Sequence, residues 1–391
     1  MGNTQNNDVL YHYKGNIDIL VNEENCDKRK EKIKLFLSNQ FQNRKLNIFI
    51  GSGCSTPAVP LMGETIKDIL KADENKNIGE KIDEYIKLQN KGLCKEEQFK
   101  KENFGDIEGF LTWLSKGIDF EKDTTIKNKY QEIYNSLRKQ FIDTIPTFDD
   151  EKYNNSPTKD YYTRFYQYIF DKRKEDFNKL NIFTTNYDLF NEYSLENCKV
   201  KYTTGFDTGL NQYFNINQFN YRLVDSRERY KDKWQPTTKE ANLYKLHGSI
   251  NWIEKNNRLL QYNENDENEN IIIYPTALKH QETRQSPYSE LFRELSIQLQ
   301  KPSSTLVMIG YGFGDDHINN IISQNLANSD FTLIVFGNVE EDRLKKFKTS
   351  NQSSNFHIIG GSIGDGKQAH YLSEIVINFC ENQNINGEPY E

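Results

Sequence analysis

Leu46-Asn47-Ile48-Phe49-Ile50-Gly51-Ser52-Gly53-Cys54-Ser55 is the stretch that decides the fold. Its first five residues, apolar except for Asn47, are too few for a helix and too continuous for a strand with one wet face. They predict a strand buried on both sides, as in a parallel sheet. The run ends on glycines 51 and 53, which carry a chain through a tight turn and let backbone N–H groups approach a phosphate at a helix start. Glycine-rich strand-to-helix turns are common, and the third glycine of the usual fingerprint is Thr56 here, so this stretch alone leaves a phosphate loop and a plain tight turn both open. A helix is expected to follow, from Glu64 to Leu70.

Working outward, the second half of the chain repeats the pattern. Short apolar runs at Leu180 to Phe183, Leu243 to Leu246, Ser304 to Ile309, Thr332 to Phe336 and Phe356 to Ile359 alternate with helical periodicity, the signature of parallel βα units. Each run is followed by polar residues: Thr-Thr-Asn-Tyr-Asp after Phe183, His-Gly-Ser after Leu246, Gly-Tyr-Gly-Phe-Gly-Asp-Asp-His after Ile309, Gly-Asn after Phe336. In an open parallel sheet the ligand crevice lies outside the carboxyl ends of the strands, so these clusters are expected to meet in one place.

Two regions fall outside this pattern. Residues 27–43 space Ile33, Phe36, Leu37 and Phe41 as an amphipathic helix, giving residues 1–44 as an N-terminal helical segment. Residues 73–178 turn to Lys, Glu, Asn and Tyr with apolar residues three to four apart. They read as a mostly helical insertion into a domain running from 45 to 391, with a loop near Asp149 to Ser156. Residues 262–270, YNENDENEN, read as an acidic surface loop, and no repeat of fixed period is present.

The 391 residues suffice for one large domain with insertions. With 50 basic against 57 acidic residues, there is no global charge case for binding nucleic acid, and no clustered carboxylate set speaks for a nuclease. Five scattered cysteines without a CxxC pair argue against a disulfide framework and a zinc knuckle. The opening MGNTQNNDVL lacks the apolar core of a signal peptide, and no stretch approaches the roughly 20 apolar residues of a membrane span. A cytoplasmic protein without direct membrane contact is the expectation.

Assembled in order, Gly51-Ser52-Gly53-Cys54-Ser55, Thr184-Thr185-Asn186-Tyr187-Asp188, Lys245-Leu246-His247-Gly248-Ser249 and Gly310-Tyr311-Gly312-Phe313 resemble the motifs of the Sir2 (sirtuin) family. The resemblance covers roughly residues 45–72 and 179–340 and implies an α/β fold: a Rossmann-like, Sir2-type parallel sheet carrying the helical insertion. The forms TTNYD, KLHGS and GYGFGDDHIN are most similar to the Sir2-like proteins of prokaryotic antiphage defence, which hydrolyse NAD+ rather than deacylate lysine, and in particular to the Sir2 subunit that works with a HerA-type hexameric ATPase. That likeness implies NAD+ as substrate, a homo-oligomer, the ATPase as partner, and nucleic acid only indirectly, as a trigger. Two departures stand out. Ser52 replaces the family's alanine, and the four-cysteine zinc module that walls the acyl-lysine tunnel of deacylases is absent, so no metal is expected.

Cleaving the nicotinamide–ribose bond releases a pyridinium leaving group that needs little acid assistance. The work is to hold the ribose, stabilise an oxocarbenium-like transition state and present a nucleophile. Asn186 is the candidate for orienting ribose and water, and His247 the candidate general base, since an imidazole titrates at about 6.5. Gly51, Ser52, Gly53, Ser55, Thr185, Asp188, Gly310, Tyr311, Gly312, Phe313, Asp316, His317 and Asn338 are the candidate binding residues. Each has a plainer rival. Asn186 or Asp188 could cap the helix that follows, His247 could be a satisfied core histidine, Asp315 and Asp316 suit a helix start, and Asn338 suits a turn. Two other function classes share the motifs: an NAD- or ADP-ribose-sensing module, for which His247 is dispensable, and a zinc-free deacylase or ADP-ribosyltransferase, which needs a protein acceptor.

Overall fold

The apolar runs lie side by side in a nine-stranded sheet, in the order β2-β1-β14-β13-β12-β3-β4-β8-β5. In chain order its strands are β1 (Tyr11–Lys14), β2 (Ile17–Asp18), β3 (Leu46–Ile50), β4 (Leu180–Thr184), β5 (Lys201–Thr203), β8 (Glu240–Lys245), β12 (Thr305–Ile309), β13 (Thr332–Phe336) and β14 (Phe356–Gly360). Seven are parallel, while β1 and β2 add an antiparallel edge beyond β14. Two small antiparallel pieces, β6 (Val224–Tyr230) with β7 (Lys233–Pro236), and β9 (Gly248–Lys255) flanked by β10 (Arg258–Gln261) and β11 (Asn270–Ile272), complete the strands among the described residues. The computed structural model describes residues 9–72, 75–91, 100, 104, 107–147, 151–173, 178–230, 233–256, 258–262, 270–272 and 287–380. Residues 263–269, most of the stretch read as an acidic loop, lie outside these.

The sheet is buried on both faces because side chains alternate along each strand. Ile48, Ile50, Ile182, Leu243, Val307, Ile309 and Ile334 pack with helices Cys26–Phe41, Pro157–Lys172 and Phe190–Asn197. On the other face Phe49, Phe183, Tyr244, Leu306, Met308, Leu333 and Val335 pack with helices Tyr288–Leu299, Asp316–Leu326 and Asp342–Ser350. This is a Rossmann-like α/β architecture. Polar Asn47, tolerated in the buried run of β3, is satisfied by a neighbour at the same height: Asn181 Nδ2 donates to Asn47 Oδ1 at 3.0 Å, and Asn242 Nδ2 to Asn181 Oδ1 at 3.3 Å. A ladder of buried amides thus crosses β3, β4 and β8 at the end opposite the crevice.

Three findings differ from the sequence reading. The segment before residue 45 is helical only from Cys26 to Phe41, because Tyr11–Lys14 and Ile17–Asp18 join the sheet. The region near Asp149 to Ser156 holds a helical turn at Glu151–Asn154, and Ser156 then caps the next helix, its Oγ accepting from the Thr158 N–H beside Pro157. The helical insertion is also not uniform. Helices Met62–Lys71, Lys76–Gln89, Ile107–Phe120 and Thr124–Ile142 share a separate core around Ile66, Ile82, Phe110, Leu114 and Leu137, whereas Tyr162, Phe165, Tyr166 and Ile169 of helix Pro157–Lys172 pack beneath the main sheet.

Of the parallel strands the chain builds β3 first, extends to β4, β5 and β8 on one side, then returns to β12, β13 and β14 on the other. The order therefore reverses between β3 and β12, where a doubly wound sheet opens its ligand crevice.

Candidate functional site

At that switch point the loops after β3 and β12 meet backbone to backbone. Gly51 N donates to Ile309 O at 2.8 Å and Gly53 N to Gly310 O at 2.9 Å. A Cβ at Gly51 would lie 2.3 Å from Gly310 O, and one at Gly310, whose φ is +67°, would lie 2.5 Å from Cys54 N. These glycines are required by the close packing of two loops. The N–H groups of Gly51 and Gly53, expected to approach a phosphate, both donate to carbonyls of the loop after β12 here.

A cavity of about 340 Å³ opens beside this contact. It falls within the usual size of small-molecule sites. Ser52, Ser55, Thr185, Asn186, Asp188, His247, Tyr311 and Gly312 of the candidate set line it together, as the meeting of strand ends requires. It is lined as well by Val59, Pro60 and Leu61 of the turn after β3, by Met62 and Thr65 of helix Met62–Lys71, by Phe141 of helix Thr124–Ile142, and by Thr144 and Ile145 just beyond that helix.

Asn186 is buried under this cavity by a network that fixes its amide. Nδ2 donates to Gly51 O at 3.1 Å and to Ser55 Oγ at 3.0 Å. A carbonyl oxygen only accepts, so the nitrogen must face Gly51 and the oxygen must face away. Oδ1, buried, has no hydrogen-bond partner among the described residues. Ser55 Oγ in turn donates to Asp188 Oδ2 at 2.7 Å and lies 2.9 Å from the Tyr162 hydroxyl. The loop itself is held from below: Asn186 N donates to Thr184 Oγ1, and fully buried Lys245 donates to the Asp188 carbonyl at 2.6 Å and pairs with Glu192 at 2.8 Å. Burial pushes the carboxyls of Asp188 and Glu192 up from their ordinary range, and the Lys245 ammonium opposes that shift in both. Asp188 Oδ1 also accepts from Phe190 N at 3.1 Å, so Asp188 supports both the Asn186 network and the following helix.

His247 sits where β8 ends, with Nε2 3.2 Å from Asp315 Oδ2. Asp315 Oδ1 meanwhile accepts from the N–H groups of His317 and Ile318, capping helix Asp316–Leu326. One carboxylate thus fixes both an imidazole in the cavity wall and a helix start. Sequence reasoning set Asp315 aside as a helix-start residue, and the spacing between 247 and 315 holds no hint of their contact. The neighbours it favoured lie elsewhere. Asp316 is exposed on the first helical turn, the His317 ring stacks edge-on against Phe292 at 4.7 Å, and neither lines the cavity. Phe313 is buried against Phe347 instead, and Asn338 Oδ1 accepts from Glu340 N in a turn. Tyr311 is held at the cavity wall by its hydroxyl, 3.1 Å from Asp315 O and from Asn319 Oδ1. Arg343, which the sequence reading did not name, also lines the cavity.

Among the described residues, no group of three or more His, Cys, Asp or Glu side chains gathers to hold a metal ion, and no helix is long and apolar enough to cross a membrane.

The fold and the site define a doubly wound α/β protein with a polar-floored crevice at its topological switch point. Residues 180–359 match the family model described as SIR2-like domain, which supports a place among Sir2-like proteins and a function related to NAD. The match takes in the motifs around Asn186, His247 and Gly310, while β3 and the helical region lie before it. No curated protein matches the chain.

Proposed function

We propose that this chain is an NAD+ glycohydrolase, cleaving the nicotinamide–ribose bond to give nicotinamide and ADP-ribose. The observation that carries this reading is the Asn186 amide, whose nitrogen is tied to Gly51 and Ser55 while its buried oxygen has no partner among the described residues, in a residue lining the cavity. An unpartnered buried acceptor is costly unless a ligand fills the role, and a ribose hydroxyl or a water supplies the missing donor. A neutral amide does this without itself attacking the sugar.

In the proposed reaction, the C1′–N bond breaks and its electron pair goes to the nicotinamide ring, neutralising the pyridinium. Water attacks C1′, and His247 accepts the proton the water gives up. Asp315, with a carboxylate oxygen 3.2 Å away, holds the imidazole in place for that step. Lys245 and Glu192 lie beneath the Asn186 loop and keep its backbone in place.

The proposal extends to biology. The chain acts as a regulated effector of antiphage defence, as a homo-oligomer with a HerA-type ATPase. The motif forms TTNYD, KLHGS and GYGFGDDHIN support that context. Control through the helical region is supported by Phe141, Thr144 and Ile145 reaching the cavity from it, so a partner that moves these helices reshapes the site.

The test is nicotinamide release, followed by chromatography, from wild type and Asn186→Ala with the ATPase present. Release by wild type that disappears in the variant, while calorimetry still shows ADP-ribose binding, is the expected result. Equal release from both would sink the assignment.

A further inference from the structure

A dinucleotide brings two phosphates, and the glycine loop is poorly placed to neutralise them. Of the five amides from Gly51 to Ser55, four are already donated: Gly51 to Ile309, Gly53 to Gly310, Cys54 to Gly51 and Ser55 to Ser52. The cavity wall also carries two carboxylates, Asp188 and Asp315, which repel an anion. Against these stands Arg343, the one Lys or Arg side chain among the described residues that line the cavity, in the first turn of helix Asp342–Ser350. It forms no ion pair among the described residues, and its head lies against the loop after β12. A Cβ on Gly314 would come within 2.7 Å of a guanidinium nitrogen, so the bare backbone at 314 is what lets the cation rest there. Gly312, next along the same loop and also lining the cavity, leaves open space around its own Cα.

We propose that Arg343 is the pyrophosphate anchor of this site, taking over the role the glycine-loop amides cannot fill. The inference rests on the NAD+ reading above. Guanidinium is suited to it because its planar fork meets phosphate oxygens two at a time and its charge does not titrate away. Gly312 and Gly314 keep side chains out of the path between the cation and the ligand. Arg343 selects for diphosphate-bearing ligands as a class, leaving the chemistry at the ribose to Asn186 and His247.

The experiment is calorimetry of ADP-ribose binding to the full chain, for wild type, Arg343→Ala and Arg343→Lys, at low and moderate salt. Loss of one charged contact predicts that Arg343→Ala binds about 10- to 100-fold more weakly. Arg343→Lys should fall between the two, since it keeps the charge and loses the fork. The salt dependence of binding should flatten in Arg343→Ala and persist in Arg343→Lys. Thermal midpoints within a degree or so of wild type establish that the exposed variant is folded. Arg343→Ala binding ADP-ribose within twofold of wild type overturns the anchor while leaving the NAD+ reading intact. Wild type binding neither ADP-ribose nor NAD+ overturns both.

Discussion

Replacing Gly51 by alanine separates the two roles a glycine can have at a strand end. The added Cβ would sit 2.3 Å from Gly310 O and 2.7 Å from both Gly310 C and Tyr311 Cα, all backbone atoms that cannot rotate aside. Reaching ordinary contact, about 3.5 Å, requires the two loops to part by about 1 Å. That movement stretches the bonds from Gly51 N to Ile309 O, now 2.8 Å, and from Gly53 N to Gly310 O, now 2.9 Å, past useful hydrogen-bond length. Overpacking strain of about 1–3 kcal/mol adds to about 0.5–1.5 kcal/mol for each of the two weakened bonds, a total loss of about 2–6 kcal/mol. Gly312→Ala is the internal control. It lines the cavity beside this contact, its Cβ would meet nothing within 4 Å, and it should change stability by less than about 0.5 kcal/mol. Urea unfolding of the ligand-free protein reads both. If Gly51→Ala unfolds within about 0.5 kcal/mol of wild type and loses only ligand affinity, the glycines serve phosphate approach and the loop-packing account is refuted.

Two further predictions concern charged and titrating groups. Asp315→Asn keeps an oxygen able to cap helix Asp316–Leu326 but removes the charge 3.2 Å from His247. Nicotinamide release should therefore fall by about 10²-fold or more with little change in the urea midpoint, and a fall in both together would mean that Asp315 acts only as a cap. The second concerns His12 and His357, which join β1 to β14 through a 3.0 Å ring-to-ring hydrogen bond. Burial, first among the causes, holds His12 at about 3 and His357 at about 4. Both depressed values lie below the unfolded value of about 6.5, so the unfolded chain binds more protons in between. Stability is complete above pH 6.5 and is lost as pH falls toward 4, by on the order of 3 kcal/mol for His357 alone. Urea midpoints measured from pH 7 to 4.5 should show this loss in wild type and a shallower one in His12→Gln. Parallel curves would contradict it.

The parallel strands were legible because burial on both faces leaves a plain mark: Leu46–Ile50 and Thr332–Phe336 have the boundaries their apolar runs suggest, and β4 and β14 extend theirs by one residue. β8 was harder to place. It starts at Glu240, whose carboxylate is buried because Arg222 and the Leu223 amide satisfy it, a partnership no local pattern displays. Tyr11–Lys14 and Ile17–Asp18 escaped for a similar reason, being short and mixed in polarity, the first pairing with a strand more than 300 residues later and the second with the first. In the site, polar residues directly after strands could be found because topology alone gathers strand ends. Asp315 and Arg343 could not, since the first depends on which of two adjacent aspartates turns inward and the second reaches the cavity from a helix whose own sequence, DRLKKFKTS, reads as solvent-facing. The glycines at 51 and 310 were visible as glycines, but their reason lies in each other.

The central claim is tested most directly by incubating wild type with NAD+ in water enriched in heavy oxygen, with and without a co-expressed HerA-type ATPase, and analysing the products by mass spectrometry. Free nicotinamide together with ADP-ribose carrying the heavy oxygen is the predicted result, with the ATPase raising the yield. ADP-ribose appearing on a protein acceptor, or NAD+ bound but left intact under every condition, would contradict it.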